Sequence, residues 1–332
     1  MQNSTLLKSL APLLCLGMAV FGARLCAQAL TGPTPVGPHR PAGVPEGYVI
    51  TPNGYFHPSC VKQLAKGDTV LGDRHAIQHV DGTLDNFTAC NYPRYSFRGE
   101  AVTSGTAEPQ VSGWVENASI TTSTSFGGII GAWTVPPKPT SNDGQTLFFF
   151  PGLEDIHDVV TILQPVLEWN AFSNYSGWSI ASWNCCYDNV DLYSSPMGVS
   201  SGDSITGEIF SNCDPGTLSC TTWSVSTENA AKGYTALSST SSYGQTFNWA
   251  FGGVLEVGSS PGTSPVVQCS DYPPNGSVAF EAFVYDENFL SISDPNWIAG
   301  YGPSGTDSSP SGLTPQCGYD VQFPEGYVTL YY

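Results

Sequence analysis

The stretch TILQPVLEW, at residues 161–169, alternates between apolar and polar positions in the manner of a strand that buries one face. Leu163, Leu167 and Trp169 lie on the apolar side of this predicted strand. Gln164 and Glu168 lie on the opposite side, because successive side chains of a strand point to opposite faces. The pattern therefore predicts a strand whose second face presents an amide and a carboxylate.

A second stretch, SVAFEAFVYD at residues 277–286, shows the same alternation. Its apolar side consists of Val278, Phe280, Ala282 and Val284. Glu281 lies on the other side, with Phe283 and Tyr285. We expect the polar faces of the two strands to line one groove, which would place Gln164 beside Glu281.

Further short runs of apolar, aromatic and Ser/Thr residues follow one another from Trp114 onward, separated by Gly, Pro, Asn and Asp. The 36 Gly and 26 Pro residues favour turns, and helical periodicity is rare after residue 30. A chain of 332 residues is long enough for one main domain with an N-terminal extension. Together these features predict an all-β sandwich or barrel.

Residues 1–29 have the pattern of a secretory signal peptide, with Lys8, an apolar run, and small residues Ala27 and Ala29 at the cleavage site. The apolar run is too short for a membrane span, and the rest of the sequence offers no other candidate. We therefore expect a secreted protein, extracellular or periplasmic, with no membrane attachment after signal cleavage.

The segment 30–108 carries most of the positive charge of the mature chain, namely Arg40, Lys62, Lys66, Arg74, Arg94 and Arg98. The composition changes near residues 104–110, which predicts a boundary before a body at 109–332. A basic prosegment and a small N-terminal accessory region that stays attached both fit this pattern. A prosegment would dock on groove carboxylates at neutral pH, and their protonation near pH ~4 would release it.

The charge of the chain is strongly acidic, with 28 Asp and Glu against 10 Lys and Arg. From residue 139 to the end, Lys232 is the only basic residue of those two types. This composition excludes an electrostatic nucleic-acid binder, because phosphate contacts need Lys and Arg. It indicates tolerance of low pH, since few positive charges remain to repel one another once the carboxylates protonate. Solubility alone is the alternative explanation.

After signal cleavage, eight of the ten cysteines remain, an even number that favours disulfides in an oxidising compartment. Cys213 and Cys220 bracket the turn-rich segment DPGTLS and are the pair that we predict. The pairing of the others is left open by the sequence, and they are Cys60, Cys90, Cys185, Cys186, Cys269 and Cys317.

The body of the chain lacks the residue patterns of the commoner hydrolases. Its only histidine is His157, and it has neither a GxSxG elbow nor an HExxH zinc motif. No metal-ligand spacing and no cofactor motif is present, so we expect neither a metal nor a cofactor. Carboxylates and amides remain, and these suit hydrolysis by an activated water in acid.

Several short segments occur in the order and approximate spacing of the eqolisin-type glutamic peptidases, formerly called pepstatin-insensitive acid peptidases. They are GAWTVPP at 131–137, FPGLED at 150–155, TILQPVLEW at 161–169, GDSITGEI at 202–209, STENAAKGY at 226–234 and AFEAFVYDE at 279–287. The chain resembles that family, or a bacterial relative of it, over roughly residues 125–290. The resemblance implies an antiparallel β-sandwich of two large sheets, of the concanavalin A-like lectin or jelly-roll type.

The resemblance also implies the roles of individual residues. The family's catalytic glutamine and glutamate match Gln164 and Glu281, with Glu281 as general base and then general acid, and with Gln164 orienting the water and stabilising the oxyanion. Its substrate groove matches Phe150, Glu154, Glu168, Trp178 and Trp183. The chain departs from the family in having Phe150 for a tryptophan, no glutamate in GWSIASW, and Pro165 after the glutamine, which requires an edge strand or a bulge.

The favoured function is therefore that of a secreted, acid-acting glutamic endopeptidase with protein or peptide substrates, made as a zymogen and monomeric. A secreted carbohydrate-binding or glycoside-cleaving sandwich is the alternative, in which aromatic rings stack on sugars and Glu154, Glu168 and Glu281 supply paired carboxylates. A catalytically inactive surface module is the third possibility.

Overall fold

The computed structural model describes residues 32–36, 40–72, 75–102, 113–142, 144–157, 160–175, 177–258, 269–301 and 317–332. The predicted signal peptide and the predicted boundary at 104–110 lie outside these residues. The described chain is built from β-strands, and its helical structure consists of single 3₁₀ turns at Pro58–Cys60, Tyr187–Asn189 and Cys269–Asp271. The described part of the chain has no helix with the length and apolar character of a membrane span.

The strands are numbered in chain order. The N-terminal region contains β1 (Val49–Thr51), β2 (Gly54–Phe56), β3 (Val61–Leu64), β4 (Thr69–Leu71), β5 (Ala76–Gln78), β6 (Leu84–Asn86), β7 (Arg94–Tyr95) and β8 (Ala101–Val102). The middle of the chain forms β9 (Trp114–Thr121), β10 (Phe126–Thr134), β11 (Thr146–Glu154), β12 (Ile162–Trp169), β13 (Trp178–Cys185), β14 (Asp191–Ser194), β15 (Met197–Gly198) and β16 (Ser204–Ser211). The remainder forms β17 (Thr222–Asn229), β18 (Gly233–Ser241), β19 (Trp249–Gly258), β20 (Ser277–Asp286), β21 (Ile298–Tyr301), β22 (Asp320–Gln322) and β23 (Tyr327–Tyr331).

Two large sheets form a sandwich, which confirms the predicted fold class. The nine-stranded sheet has the order β21-β9-β19-β11-β12-β13-β14-β3, with β15 attached to β13, and the ten-stranded sheet has the order β22-β23-β20-β10-β16-β17-β18-β4-β5-β6. Most neighbours are antiparallel. Two N-terminal strands join in parallel instead, β3 along β14 and β4 along β18.

The core between the two sheets follows from the alternation seen in the sequence. Leu163 and Leu167 of β12 and Phe280 and Val284 of β20 are fully buried in clusters that draw on both sheets. Burial of these side chains is the main favourable contribution to folding. The predicted inward faces of both strands are therefore confirmed.

A smaller sheet, of order β1-β2-β7-β8, is formed by the N-terminal region. Its residues Ile50, Tyr55 and Phe56 belong to the same buried cluster as Phe148 of β11 and Trp183 of β13. These two residues lie on the face of the nine-stranded sheet that is turned away from the ten-stranded sheet. We call this face the covered face, and we call the described chain before residue 103 the N-terminal cover. Residues Thr31–Tyr332 form one compact unit.

All eight cysteines of the described residues lie in disulfides. The structure pairs Cys213 with Cys220, and it pairs the others as Cys60–Cys90, Cys185–Cys186 and Cys269–Cys317. Each of these bonds lies within the N-terminal cover or within the body. Among the described residues, the cover is therefore held to the body by non-covalent contacts.

Candidate active site

Polar residues are placed on the covered face by the alternation of β12 and β13. Gln164 and Glu168 point to the same side as Val166, which packs in the buried cluster with the N-terminal cover. Trp183 of β13 lies directly opposite Gln164, so its ring is on the same face. Its indole N–H donates to the Glu168 carboxylate over 2.5 Å, and the Ser179 hydroxyl donates to the same carboxylate over 3.4 Å.

A gap in the hydrogen-bond ladder lies beside Gln164. Pairing between β11 and β12 runs from Phe149↔Leu167 to Leu153↔Leu163 without pairs in between. At this register Pro151 lies opposite Pro165, and neither residue has an N–H to donate. The sequence predicts that Pro165 lies on an edge strand or at a bulge. The structure instead places it on β12, between β11 and β13 in the interior of the sheet. The bulge lies in the pairing of β11 with β19, between Phe150 and Gly152.

The amide of Gln164 is the most unusual polar group of this face. The residue is 1% exposed, and neither its Oε1 nor its Nε2 has a hydrogen-bond partner among the described residues. Buried polar groups are nearly always hydrogen-bonded, and leaving one unbonded costs about 1–3 kcal/mol. An unbonded amide in this position is therefore what we expect of a group that bonds to a ligand.

Four buried carboxyl groups lie on the same face as this amide, and they belong to Glu154, Glu168, Asp191 and Glu256. Glu154 is a diagonal neighbour of Gln164, because Leu153 pairs with Leu163 and the side chains two residues along a pleat share a face. Glu256 lies in the same row as Glu168, with Phe148 between them. Neither carboxyl oxygen of Glu256 has a hydrogen-bond partner among the described residues.

The carboxyl groups interact across the sheet. Burial, and then repulsion from Glu154 and Asp191, raises the pKa of Glu256 well above its ordinary value. Asp191 is on β14, and three strands separate β14 from β19. The buried acidic groups of the covered face therefore influence one another across several strands.

Burial also raises the pKa values of two further carboxyl groups of this face, Asp191 and Glu168. It raises the pKa of Asp191 to about 7, although hydrogen bonds from Thr51 and Asn53 and the charge of Arg94 lower it. It raises the pKa of Glu168 well above the ordinary value, against the lowering effect of the bonds from Trp183 and Ser179. Both groups therefore hold their protons far more tightly than an exposed carboxyl group does.

The N-terminal cover reaches this site with the turn between β1 and β2. The Asn53 amide donates to the Asp191 carboxylate over 3.3 Å, and both residues are buried. Gly54 closes the turn at a φ of +105°, and an added Cβ there would lie 2.3 Å from the Tyr95 carbonyl oxygen. Arg94 of β7 is 7% exposed, and burial lowers its pKa to about 10 while Asp191 raises it.

The basic residues of the cover differ in their contacts from the docking that the sequence predicts. Among the basic residues expected to dock on the groove, Arg94 interacts with a carboxylate, Asp191, that the sequence analysis did not select. Lys66 lies instead over the ring of Tyr234, 4.0 Å from its centroid, and Arg74 lies outside the described residues. The contacts of Thr51, Asn53 and Arg94 with Asp191 lower the pKa of that carboxyl group, so protonation in acid would weaken them, and release of the cover by acid stays a prediction.

Glu281 does not lie beside Gln164, and the expectation of one shared groove is wrong. β20 pairs with β10 and β23 in the ten-stranded sheet, and Glu281 is on its solvent-facing side between Ala132 and Tyr327. The whole sandwich therefore separates Glu281 from Gln164. The open face predicted for β20 is present, since Phe283 on this side is 42% exposed.

The predicted groove residues divide between the two faces of the nine-stranded sheet. Four of them lie on the covered face, as a common groove requires, and they are Phe150, Glu154, Glu168 and Trp183. Trp178 lies in the core between the sheets, where its ring packs against Trp169 and Phe149. Trp178 and Trp183 are five positions apart, an odd number, which places their rings on opposite sides of β13.

Asp191 and Glu256 were missed by the sequence analysis. Glu256 stands alone in the apolar run Val254–Val257, which is the same signal that draws attention to Glu168. A carboxylate in such a run indicates a buried ionisable group, and these cluster at functional sites. Asp191 follows an irregular turn, and nothing in the local sequence distinguishes it.

Comparisons with known proteins give distant structural likenesses. No protein-family model and no curated protein sequence matches the chain. A scytalidoglutamic peptidase solved with a peptide-based transition-state analogue is similar over 66% of this chain and 98% of its own, at 16% identity and a TM-score of 0.45. The aspergilloglutamic peptidase of Aspergillus niger is similar over 56% of this chain and 98% of its own, at 17% identity and a TM-score of 0.34. Galectin-Va of Xenopus laevis is similar over 44% of this chain and 98% of its own, at 11% identity and a TM-score of 0.26.

The raised pKa values predict that the protein is more stable in acid than at neutral pH. Between about pH 4 and the pKa of about 7 of Asp191, the folded chain keeps protons that the unfolded chain releases, so the free energy of unfolding falls as pH rises. The shift of Asp191 alone corresponds to a loss on the order of 4 kcal/mol. Thermal unfolding followed by circular dichroism should show a lower Tm at pH 7.5 than at pH 4.

The isosteric substitution Glu256→Gln should raise the Tm at pH 7.5 and leave it nearly unchanged at pH 4, since it removes a group that is costly only when ionised. Glu228→Gln, at an exposed position, is the matched control and should change neither value. A Tm that increases from pH 4 to pH 7.5 in the unsubstituted protein would contradict this interpretation of the buried carboxyl groups.

Proposed function

We propose that the protein is an acid-acting endopeptidase that cleaves proteins or peptides with a water activated by buried carboxyl and amide groups of the covered face. The observation that carries this proposal is the unbonded amide of Gln164, buried on a sheet face that also holds four buried carboxyl groups. A tetrahedral intermediate needs a donor for its oxyanion, and a side-chain amide can supply one. Carboxyl groups with different pKa values can supply the base and the acid.

In the proposed mechanism, Glu154 acts as the general base and Glu256 as the general acid. Glu154 takes a proton from water as the water oxygen attacks the peptide carbonyl carbon, and Gln164 donates its N–H to the developing oxyanion. Glu256 then donates its proton to the nitrogen of the leaving amine as the C–N bond breaks. Transfer of the proton from Glu154 to Glu256 restores the starting state.

Acid dependence follows from the state of Glu256. This carboxyl group must be protonated to act as an acid, and burial together with repulsion from Glu154 and Asp191 favours the protonated form. Activity is therefore expected at low pH and is lost once Glu256 ionises. Phe150 and Trp183 would form the walls of the groove when the cover is absent.

The N-terminal cover acts in this proposal as the inhibitory prosegment of a secreted zymogen. Its β1–β2 turn bonds to Asp191, and its apolar side chains pack on the covered face. Acid would weaken the contacts of Thr51, Asn53 and Arg94 with Asp191, because these contacts favour the ionised form. Cutting of the chain near residues 104–110 would then free the N-terminal fragment. Secretion is supported by the residues at 1–29 and by four disulfides.

Substitutions in the processed protein test the assignment of the site. Gln164→Ala should lower kcat/KM for a protein substrate at pH 4 by about 10²-fold or more, because it removes an oxyanion donor. Glu154→Gln and Glu256→Gln should lower it by about 10²- to 10⁴-fold, because they remove the base and the acid. Peptide release from casein measures these changes, with circular dichroism to verify the fold.

Glu281→Gln is the matched control, since Glu281 lies on the other sheet and should not affect cleavage. If Glu281→Gln abolishes cleavage while Gln164→Ala leaves it intact, the site has been placed on the wrong sheet. Cleavage of an oligosaccharide panel with no cleavage of casein would favour the glycoside-cleaving alternative.

Processing gives a separate prediction. The intact chain should be inactive at pH 4, and it should gain activity once it is cut between residues 104 and 110 and the N-terminal fragment dissociates. Asn53→Ala removes the bond to Asp191 and should speed dissociation of the fragment, as measured by size-exclusion chromatography at pH 4 and pH 7. An intact chain that is already fully active at pH 4 would show that the cover is not inhibitory.

A further inference from the structure

A pocket of about 360 Å³ lies beside β20 and β23 of the ten-stranded sheet. Four aromatic side chains contribute to its lining, and they are Phe283, Trp297, Phe323 and Tyr327. The other lining residues are Ala282, Ser291, Ile292, Ser293, Asp294, Pro295 and Gly326. The pocket is therefore a mainly aromatic cavity with a single carboxylate.

Three of these aromatic rings are unusually accessible to water. Phe283 is 42% exposed, Phe323 41% and Tyr327 42%. Phe283 is on the solvent-facing side of β20, and Tyr327 pairs with Glu281 across the ladder, so both rings are fixed by the sheet. The fourth ring, Trp297, packs against Gly252, where an added Cβ would lie 2.8 Å from it. Exposed aromatic residues held in fixed positions mark binding sites.

The charges at this pocket are all negative. Asp294 is on its rim, and Glu281 lies next to Tyr327 on the same side of the sheet. None of the described lining residues is Lys or Arg. Lys232, the only such residue after position 138, is bound to Asp203 at 3.0 Å. A positively charged group entering the pocket would therefore meet aromatic faces and carboxylates with no competing cation.

We propose that this pocket binds an alkylated ammonium group, as in choline or a trimethylated lysine. Aromatic faces attract organic cations through the ring quadrupole, and several rings around one cation form the cage by which proteins bind quaternary ammonium groups. Asp294 supplies the counter-charge. A sugar fits this lining less well, because among the described lining residues the only polar side chains besides Asp294 and Tyr327 are two serines, and no amide or guanidinium is available for directed hydrogen bonds.

This inference does not depend on the proposed peptidase activity. The described lining residues of the pocket are distinct from the residues of the covered face, where the proposed active site lies. Binding at the pocket can therefore be measured on the intact chain without any processing. Failure of one proposal would leave the other unaffected.

Titration of the full chain with choline chloride, followed by calorimetry and by tryptophan fluorescence, tests the proposal. The neutral isostere 3,3-dimethylbutan-1-ol, free lysine and methyl glucoside form the comparison set. Choline should bind about 2- to 30-fold more tightly than its neutral isostere, which is the range expected for cation–π attraction. Lysine should bind more weakly than choline, and methyl glucoside should not compete with it.

Variants locate the binding site. Phe323→Ala and Asp294→Asn should each weaken choline binding by at least about 2-fold, while Tyr92→Ala and Glu228→Gln, at exposed positions outside the pocket, should not change it. The proposal is overturned if the neutral isostere or lysine binds as tightly as choline, if methyl glucoside competes, if no binding occurs at about 100 mM choline, or if the control variants lose binding as the pocket variants do.

Discussion

The burial of a polar, acidic sheet face is the constraint on which the rest of this structure depends. Carboxyl groups and an amide are costly to remove from water unless they are bonded or protonated. The N-terminal cover meets part of this cost with Asn53 and Arg94, which face Asp191. The rest is met by protonation, since burial raises the pKa values of Glu168, Asp191 and Glu256. Such groups oppose folding least when they are protonated.

Electrostatic repulsion links the buried carboxyl groups of this face. The pKa of Glu256 on β19 is raised in part by Asp191 on β14, which lies beyond three intervening strands. The strand pairing is interrupted at Pro151 and Pro165, and the bulge at Phe150–Gly152 lies on the neighbouring strand. Both irregularities are next to Gln164 in the sheet. Bulges increase the bend of a strand. The two prolines pack on Gly131 and Gly207 of the other sheet, so the irregular region is held by contacts in the core between the sheets.

Local alternation was sufficient to predict the inward and outward residues of β12 and β20, because a strand with one buried face has a period of two. It could not predict that β20 joins the other sheet, since that depends on pairing with β10 and β23, which lie far away in the sequence. Trp178 was placed wrongly for a related reason, because a shift of one residue moves a side chain to the opposite face. The cover was predicted only as a basic segment, because its strands have two to four residues each and leave little periodic signal.

A crystal structure of the processed protein with a non-cleavable peptide would test most directly whether the covered face is a substrate site. We expect the peptide to occupy the covered face in place of the β1–β2 turn, with one carbonyl oxygen within hydrogen-bonding distance of the Gln164 side chain. A peptide bound on the ten-stranded sheet beside Glu281, with the Gln164 amide still unbonded, would contradict it.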